Sequence, residues 1–99
     1  MVWVLYASVG LDSLAIAEDS VALLKGKVLL IDVRSHSFFR RAPLGAKYNL
    51  PLTDILAGHL PPRGYDYYVA VCSCPRGGIG REAAKILREH GFKAFYVVR

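Results

Sequence analysis

An apolar run that ends in a glycine-rich loop is the feature that most constrains how this chain folds. Residues 68–81 read YVAVCSCPRGGIGR. The β-branched and aromatic residues at the start predict a strand, and the glycines after Cys74 predict a loop that leads into a helix at about Gly78. Ligands of open α/β sheets bind at the carboxyl ends of the strands. The pattern therefore predicts that Cys74 lies at a ligand site.

The same order of elements gives Cys74 a setting that suits nucleophilic chemistry. Loop N–H groups and a helix N-terminus favour negative charge, so they lower the pKa of a nearby thiol and hold an anion. Arginine pairs well with oxyanions, which makes the two arginines after Cys74 candidates for attracting an anionic substrate. The predicted site consists of the nucleophile Cys74 and the substrate-binding residues Arg76, Gly77, Gly78, Ile79, Gly80 and Arg81. Cys72 is predicted to be a core residue of the strand.

Short apolar runs alternate with segments of helical spacing along the rest of the chain. Strands are predicted over residues 2–6, 28–33, 48–50, 67–71 and 94–98, and helices over residues 11–24, 37–41, 52–60 and 78–90. Asp12 is a possible cap of the first helix, and Pro61 is expected to end the third. The alternation predicts one α/β domain with a mostly parallel sheet of about five short strands and helices on both faces.

Composition and charge exclude several classes of protein. The net charge of +5 favours anionic substrates or acidic partners, but the cations are scattered, so we expect no nucleic-acid binding. No apolar run is long enough to span a membrane, and residues 1–11 lack the basic start of a signal peptide, so a cytoplasmic location is expected. Two cysteines are too few for a disulfide framework. The absence of Gln, with one Asn and one Met, is typical of thermophiles.

Two blocks of the chain resemble the rhodanese-like family. The first, over residues 28–52, resembles the family's strand ending in Asp-x-Arg, its Gly-Ala and its Asn-x-Pro, here Asp32-Val33-Arg34, Gly45-Ala46 and Asn49-Leu50-Pro51. The second, over residues 74–97, resembles the family's Cys-x-x-Gly loop, Ala-Ala helix and Gly-Phe stop, here Cys74, Gly77, Ala83-Ala84 and Gly91-Phe92. The blocks cover about half of the chain in the family's order, and their spacing selects Cys74 over Cys72.

The resemblance implies a single-domain sulfurtransferase in which the Cys74 thiolate takes the outer sulfur of a small anionic donor such as thiosulfate. A thiol, cyanide or a sulfur-carrier protein would then accept that sulfur from the persulfide. Asp32 and Arg34 would brace the fold near the active loop. No metal and no organic cofactor are implied, and the three histidines show no spacing typical of a metal site.

The sequence also departs from the family's pattern. Phe38 stands where an acidic residue is usual, and Ile79 and Gly80 replace the Arg and the Ser or Thr that often end the loop. The sequence ends at Arg99, before the Gly-Gly turn, Trp and final helix that usually follow this strand in the family, so the expected fold lacks that C-terminal helix. Residues 2–6 or a second copy of the chain, as in a homodimer, would then cover the exposed sheet face.

Two alternatives stay open at this point. One is a non-catalytic module, either a sulfur carrier or a binding domain. The other is a phosphatase or arsenate reductase of related fold, which uses Cys-x5-Arg. That spacing is absent, because position 80 is Gly and Arg81 lies seven residues after Cys74.

Overall fold

The apolar runs form a parallel sheet. The computed structural model describes residues 14–73 and 77–99. Strands β1 (Val28–Asp32), β2 (Tyr48–Asn49), β3 (Tyr67–Cys72) and β4 (Ala94–Val98) lie in the spatial order β2-β1-β3-β4. Every neighbouring pair is parallel. The described part of the chain thus confirms the predicted α/β architecture with a parallel sheet. Four of the about five predicted strands lie in it, and the predicted strand over residues 2–6 lies outside the described residues.

Four helices accompany the sheet in the described residues. They are α1 (Glu18–Val21), α2 (His36–Arg41), α3 (Leu52–Leu56) and α4 (Gly78–Glu89). The predictions for α2 and α4 are confirmed to within one residue at an end. None of the helices in residues 14–73 and 77–99 is long and apolar enough to cross a membrane.

The predicted helix over residues 11–24 is wrong for most of its described length. Only Glu18–Val21 is helical, and the chain before it runs beside β4. The Tyr96 N–H donates to the Leu14 carbonyl over 2.7 Å, and the Ile16 N–H donates to the Tyr96 carbonyl over 2.9 Å. Leu14 packs into the core on one face of the sheet, and Ile16 packs into the core on the other face. Pairing with β4 therefore overrides the helical spacing, and the possible cap Asp12 lies outside the described residues.

Helix α3 ends earlier than predicted. It was expected over residues 52–60 with Pro61 as its stop, but the helical residues end at Leu56. Gly58 has a φ of 101°, a left-handed conformation that turns the chain away from the helix axis. The glycine, rather than the proline, therefore terminates this helix.

The sheet buries apolar side chains on both faces. On one face, α3 and α4 cover the sheet through Ile55, Ala83, Ala84 and Leu87. On the other face, Val69, Val71 and Val97 lie under Ile16, Val21, Leu24 and Leu44. Strand β3 is fully buried from Tyr68 to Cys72, as expected for a central strand of a parallel sheet. Both faces of the sheet are thus covered by apolar packing.

Candidate active site at the carboxyl ends of the strands

A cavity of about 380 Å³ opens where three parallel strands end. Its lining comes from residues 33–35 after β1, residues 51–53 after β2, and residues 72–73 at the end of β3. Phe38 of α2 and Ile79 of α4 complete the described part of the lining. We call this the carboxyl-edge cavity. It lies where the sequence places the ligand site, and its volume is in the range of small-molecule sites.

A buried ion pair forms the base of this region. Asp32 is the last residue of β1 and is fully buried, and Arg34 is only 7% exposed. Arg34 Nε donates to Asp32 Oδ1 over 3.0 Å, and Arg34 Nη2 donates to Oδ2 over 2.8 Å. Nη2 also donates to the Ala42 carbonyl over 2.6 Å. The pair therefore fixes the loop after β1, which agrees with the bracing role that the resemblance implies.

The hydrogen bonds from Arg34 to Asp32 are the main reason why the pKa of Arg34 is raised above its ordinary value. The nearby Cys72 raises it further by a smaller amount. The guanidinium thus stays charged across the working pH range, with most of its donors already used. The guanidinium ties the end of β1 to Ala42, the residue that follows α2.

Asn49 fastens β2 to the same loop, a role that the sequence analysis missed. Its Nδ2 donates to the Asp32 carbonyl over 2.8 Å and to the Arg34 carbonyl over 2.9 Å. Its Oδ1 bonds with His36 at the start of α2. The Asn-x-Pro motif was the available signal, because an Asn beside a short strand has the side-chain donors to satisfy a neighbouring loop.

Cys72 is a core residue, as predicted. It ends β3, is fully buried, and also contributes to the wall of the carboxyl-edge cavity. Gly80 of α4 lies directly against it: a Cβ at Gly80 would sit 3.0 Å from Cys72 Sγ and 3.3 Å from Tyr96 Cβ. Gly80 is buried, so the structure assigns this predicted substrate-binding residue a close packing contact between α4 and β3.

The start of α4 places the remaining described site residues. Gly77 is the N-cap with a φ of 67°, and its carbonyl accepts a hydrogen bond of 2.7 Å from the Arg81 N–H. Gly78 opens the helix with open space around its Cα. Ile79 is 40% exposed and faces the cavity. Arg81 is exposed and lies outside the described lining. The structure thus brings Ile79, but not Arg81, to the cavity.

The predicted nucleophile Cys74 and the predicted anion-binding Arg76 lie outside the described residues. The chain on either side of them is described: Ser73 lines the cavity, and Gly77 caps α4. The first N–H groups of a helix lack intrahelical acceptors, so α4 presents a positive helix end beside this segment. The end of β3 at Cys72 and the start of α4 at Gly78 agree with the predicted strand end and helix start to within one residue.

Among the described residues, no three His, Cys, Asp or Glu side chains group as a metal site does. Comparison of the chain with protein-family models, with curated proteins and with solved structures gave no significant match. The structure therefore defines an α/β protein with a cavity at the carboxyl ends of its strands. The resemblance to the rhodanese-like family stays a prediction.

Proposed function

We propose that this protein is a rhodanese-like sulfurtransferase that carries sulfur as a persulfide on Cys74. The observation that carries the proposal is the junction of β3 and α4: β3 ends at Cys72, the positive end of the 12-residue helix begins at Gly78, and Cys74 lies between them in the sequence. Ser73 and Ile79, on either side of this junction, line the cavity. A helix N-terminus stabilises a thiolate and a bound anion.

The reaction has two steps of nucleophilic substitution at sulfur. In the first, the Cys74 thiolate attacks the outer sulfur of thiosulfate, a new S–S bond forms, and sulfite leaves with the electron pair of the bond that breaks. In the second, an acceptor such as cyanide or a thiol attacks the terminal sulfur of the persulfide and restores the thiolate. Splitting the transfer through a covalent intermediate gives ping-pong kinetics.

Charge on the sulfur atoms is stabilised mainly by backbone groups in this proposal. The N–H groups of Gly78, Ile79 and Gly80 lie in the first turn of α4 and act as preorganised donors. Arg76 steers the anionic donor, and Arg81 is the second cation near the helix start. The proposal includes a cytoplasmic location and a small thiol, cyanide or a sulfur-carrier protein as acceptor.

Turnover assays separate this proposal from its alternatives. We expect thiosulfate and cyanide to give thiocyanate with wild-type protein and with Cys72→Ser, and no product with Cys74→Ser. Release of phosphate from an aryl phosphate ester would instead indicate a phosphatase. A persulfide on Cys74 that no small acceptor discharges would indicate a sulfur carrier that works with a partner protein. Thiocyanate formation by Cys74→Ser at the wild-type rate would overturn the proposal.

A further inference from the structure

The carboxyl-edge cavity has walls made largely of carbon. Val33, Phe38, Leu52 and Ile79 present aliphatic or aromatic surface to it. Phe38 is 53% exposed and Ile79 is 40% exposed, although both are large apolar residues. Burying such surface is favourable by roughly 25 cal/mol for each Å² removed from water. An occupant with its own apolar surface would therefore gain free energy in this cavity.

Charge in the described part of the cavity is already neutralised. Arg34 is the charged residue of the described lining, and its guanidinium is occupied by the Asp32 carboxylate and the Ala42 carbonyl. The remaining polar side chains of that lining are the hydroxyls of Ser35, Thr53 and Ser73. An inorganic dianion that enters this cavity loses its hydration and gains few hydrogen bonds or ion pairs from the described lining. The described lining therefore favours an apolar organic group over an inorganic anion.

We infer that the sulfur donor is an organic molecule with an anionic sulfane-sulfur head and an apolar substituent that fills this cavity. The inference rests on the proposed function, because the head must meet the Cys74 thiolate. Ser73 lines the cavity and directly precedes Cys74 in the sequence, so a tail in this cavity is one residue along the chain from the proposed nucleophile. The anionic head binds at the N-terminal end of α4, and the apolar tail packs between Phe38 and Ile79.

The chemistry of the transfer is unchanged by the substituent. With an alkyl thiosulfonate, the Cys74 thiolate bonds to the outer sulfur, the S–S bond to the sulfonyl group breaks, and the electron pair leaves with the alkyl sulfinate. The Cys74 sulfur is oxidised to the persulfide level and the sulfonyl sulfur is reduced to sulfinate. With an alkyl persulfide as donor, the leaving group is the alkyl thiolate.

Alkanesulfonates test the cavity without any sulfur transfer, because they keep the head charge and lack a transferable sulfur. NMR titrations of the wild-type protein with methane-, butane- and hexanesulfonate should show affinity that rises with chain length. The expected gain is roughly fourfold for each methylene that becomes buried. The amide signals of Phe38, Leu52 and Ile79 should shift, and those of the opposite sheet edge should not.

Variants at the mouth of the cavity sharpen the titration. Phe38→Ala and Ile79→Ser should flatten the dependence on chain length. Leu23→Ala is the matched control, because Leu23 is 75% exposed and lies outside the described lining, and it should keep the wild-type dependence. Affinity that does not change with chain length, or that changes equally in all four proteins, would overturn the inference.

Donor kinetics then separate the inference from the proposed function. We expect kcat/KM to rise from thiosulfate and methanethiosulfonate to hexanethiosulfonate and hexyl persulfide, each with the same acceptor. If all donors sulfurate Cys74 equally well, the inference fails and the proposed function stands. If hexanesulfonate binds in the cavity and no donor sulfurates Cys74, the proposed function fails and the cavity remains a site for apolar anions. A higher rate with only one hexyl donor identifies which head group the site selects.

Discussion

Two cavities of similar volume lie at opposite ends of the strands, and they differ in how the charged side chains of their linings are held. The carboxyl-edge cavity measures about 380 Å³ and has a buried, paired arginine at its base. The second cavity, of about 350 Å³, lies where β3 and β4 begin, and we call it the amino-edge cavity. Its lining includes Arg88 and Lys93, which lie over the rings of Phe95 and Tyr67 at 4.8 and 5.9 Å.

Helix α4 explains the difference, because it runs from one cavity to the other. Ile79 near its start lines the carboxyl-edge cavity, and Arg88 in its last turn lines the amino-edge cavity. The negative end of a helix favours cations, and Arg63 donates to the His90 carbonyl there over 3.1 Å. The positive end favours anions. The two cavities are therefore similar in volume but differ in the charge that the adjacent end of α4 favours.

The largest expected effect is on stability, and it appears when an arginine is removed from the carboxyl edge rather than from the amino edge of the sheet. Arg34→Ala should lower the free energy of unfolding by about 3–5 kcal/mol, because it leaves the fully buried Asp32 carboxylate without its partner. Arg63→Ala, which removes an exposed cation 4.3 Å from the Phe92 ring, should cost about 1 kcal/mol or less. Urea denaturation of both variants measures the difference. Equal losses would show that the two edges do not differ in how they hold charge.

Glycines at the two ends of α4 extend the comparison to the backbone. Gly77 and Gly91 both have positive φ, 67° and 89°, so alanine at either position should cost about 1–3 kcal/mol in strain. A Cβ at Gly77 would also lie 2.6 Å from Tyr96 Cε2, whereas a Cβ at Gly91 meets nothing within 4 Å. Gly77→Ala should therefore be the more destabilising change in thermal unfolding.

Gly78→Ala is the control for the glycine pair. Its φ is helical and its Cβ would meet no atom within 4 Å, so alanine should be neutral or stabilising by about 0.5–1 kcal/mol. Destabilisation by Gly78→Ala as large as that by Gly77→Ala would contradict the described start of α4.

An effect of similar size is expected in catalysis. Under the proposed function, Arg76→Ala should lower kcat/KM for thiosulfate. The loss of transition-state stabilisation should be about 1–3 kcal/mol, the range of a charge-assisted hydrogen bond. The loss should shrink as salt rises, because salt screens an exposed charge. Lys93→Ala at the amino edge should leave kcat/KM unchanged. Full activity of Arg76→Ala at low salt would make Arg81 the leading cation for the donor.

The smallest effect concerns an exposed ion pair. Arg99 Nη2 donates to Glu18 Oε1 over 2.6 Å, and this hydrogen bond is the main reason why the pKa of Glu18 is lowered. A lowered folded-state pKa stabilises the protein above the ordinary carboxyl pKa of 4.5, and the gain is lost as the pH falls through the lower value. Glu18→Gln should cost less than about 1 kcal/mol at pH ~7 and nothing at pH ~2, by urea denaturation. A constant difference across that range would contradict this account.

Much of the fold follows from local sequence patterns. Strands β1, β3 and β4 are buried on both faces, which gives continuous apolar runs in the sequence. Helix α4 is buried on one face, which gives apolar residues at helical spacing. Both patterns predict the elements correctly. The same reasoning gives a wrong prediction for residues 14–16, because these residues pair with β4 although their spacing is helical. That pairing joins segments about 80 residues apart, so no local pattern records it.

The site was predictable in position and less so in content. The glycines after β3 and the Asp-x-Arg after β1 locate it at the carboxyl edge. The apolar lining was not foreseen, because Phe38 and Ile79 come from helices that meet only in the folded chain. The close contact between Gly80 and Cys72 likewise depends on how α4 packs against β3.

The intact mass of the protein after incubation with a sulfane-sulfur donor tests the central claim most directly. The account predicts that wild-type protein and Cys72→Ser each gain the mass of one sulfur atom, and that Cys74→Ser gains none. Subsequent cyanide should remove the added mass. A sulfur atom carried by Cys74→Ser, or found on Cys72 alone in the wild type, would contradict the account.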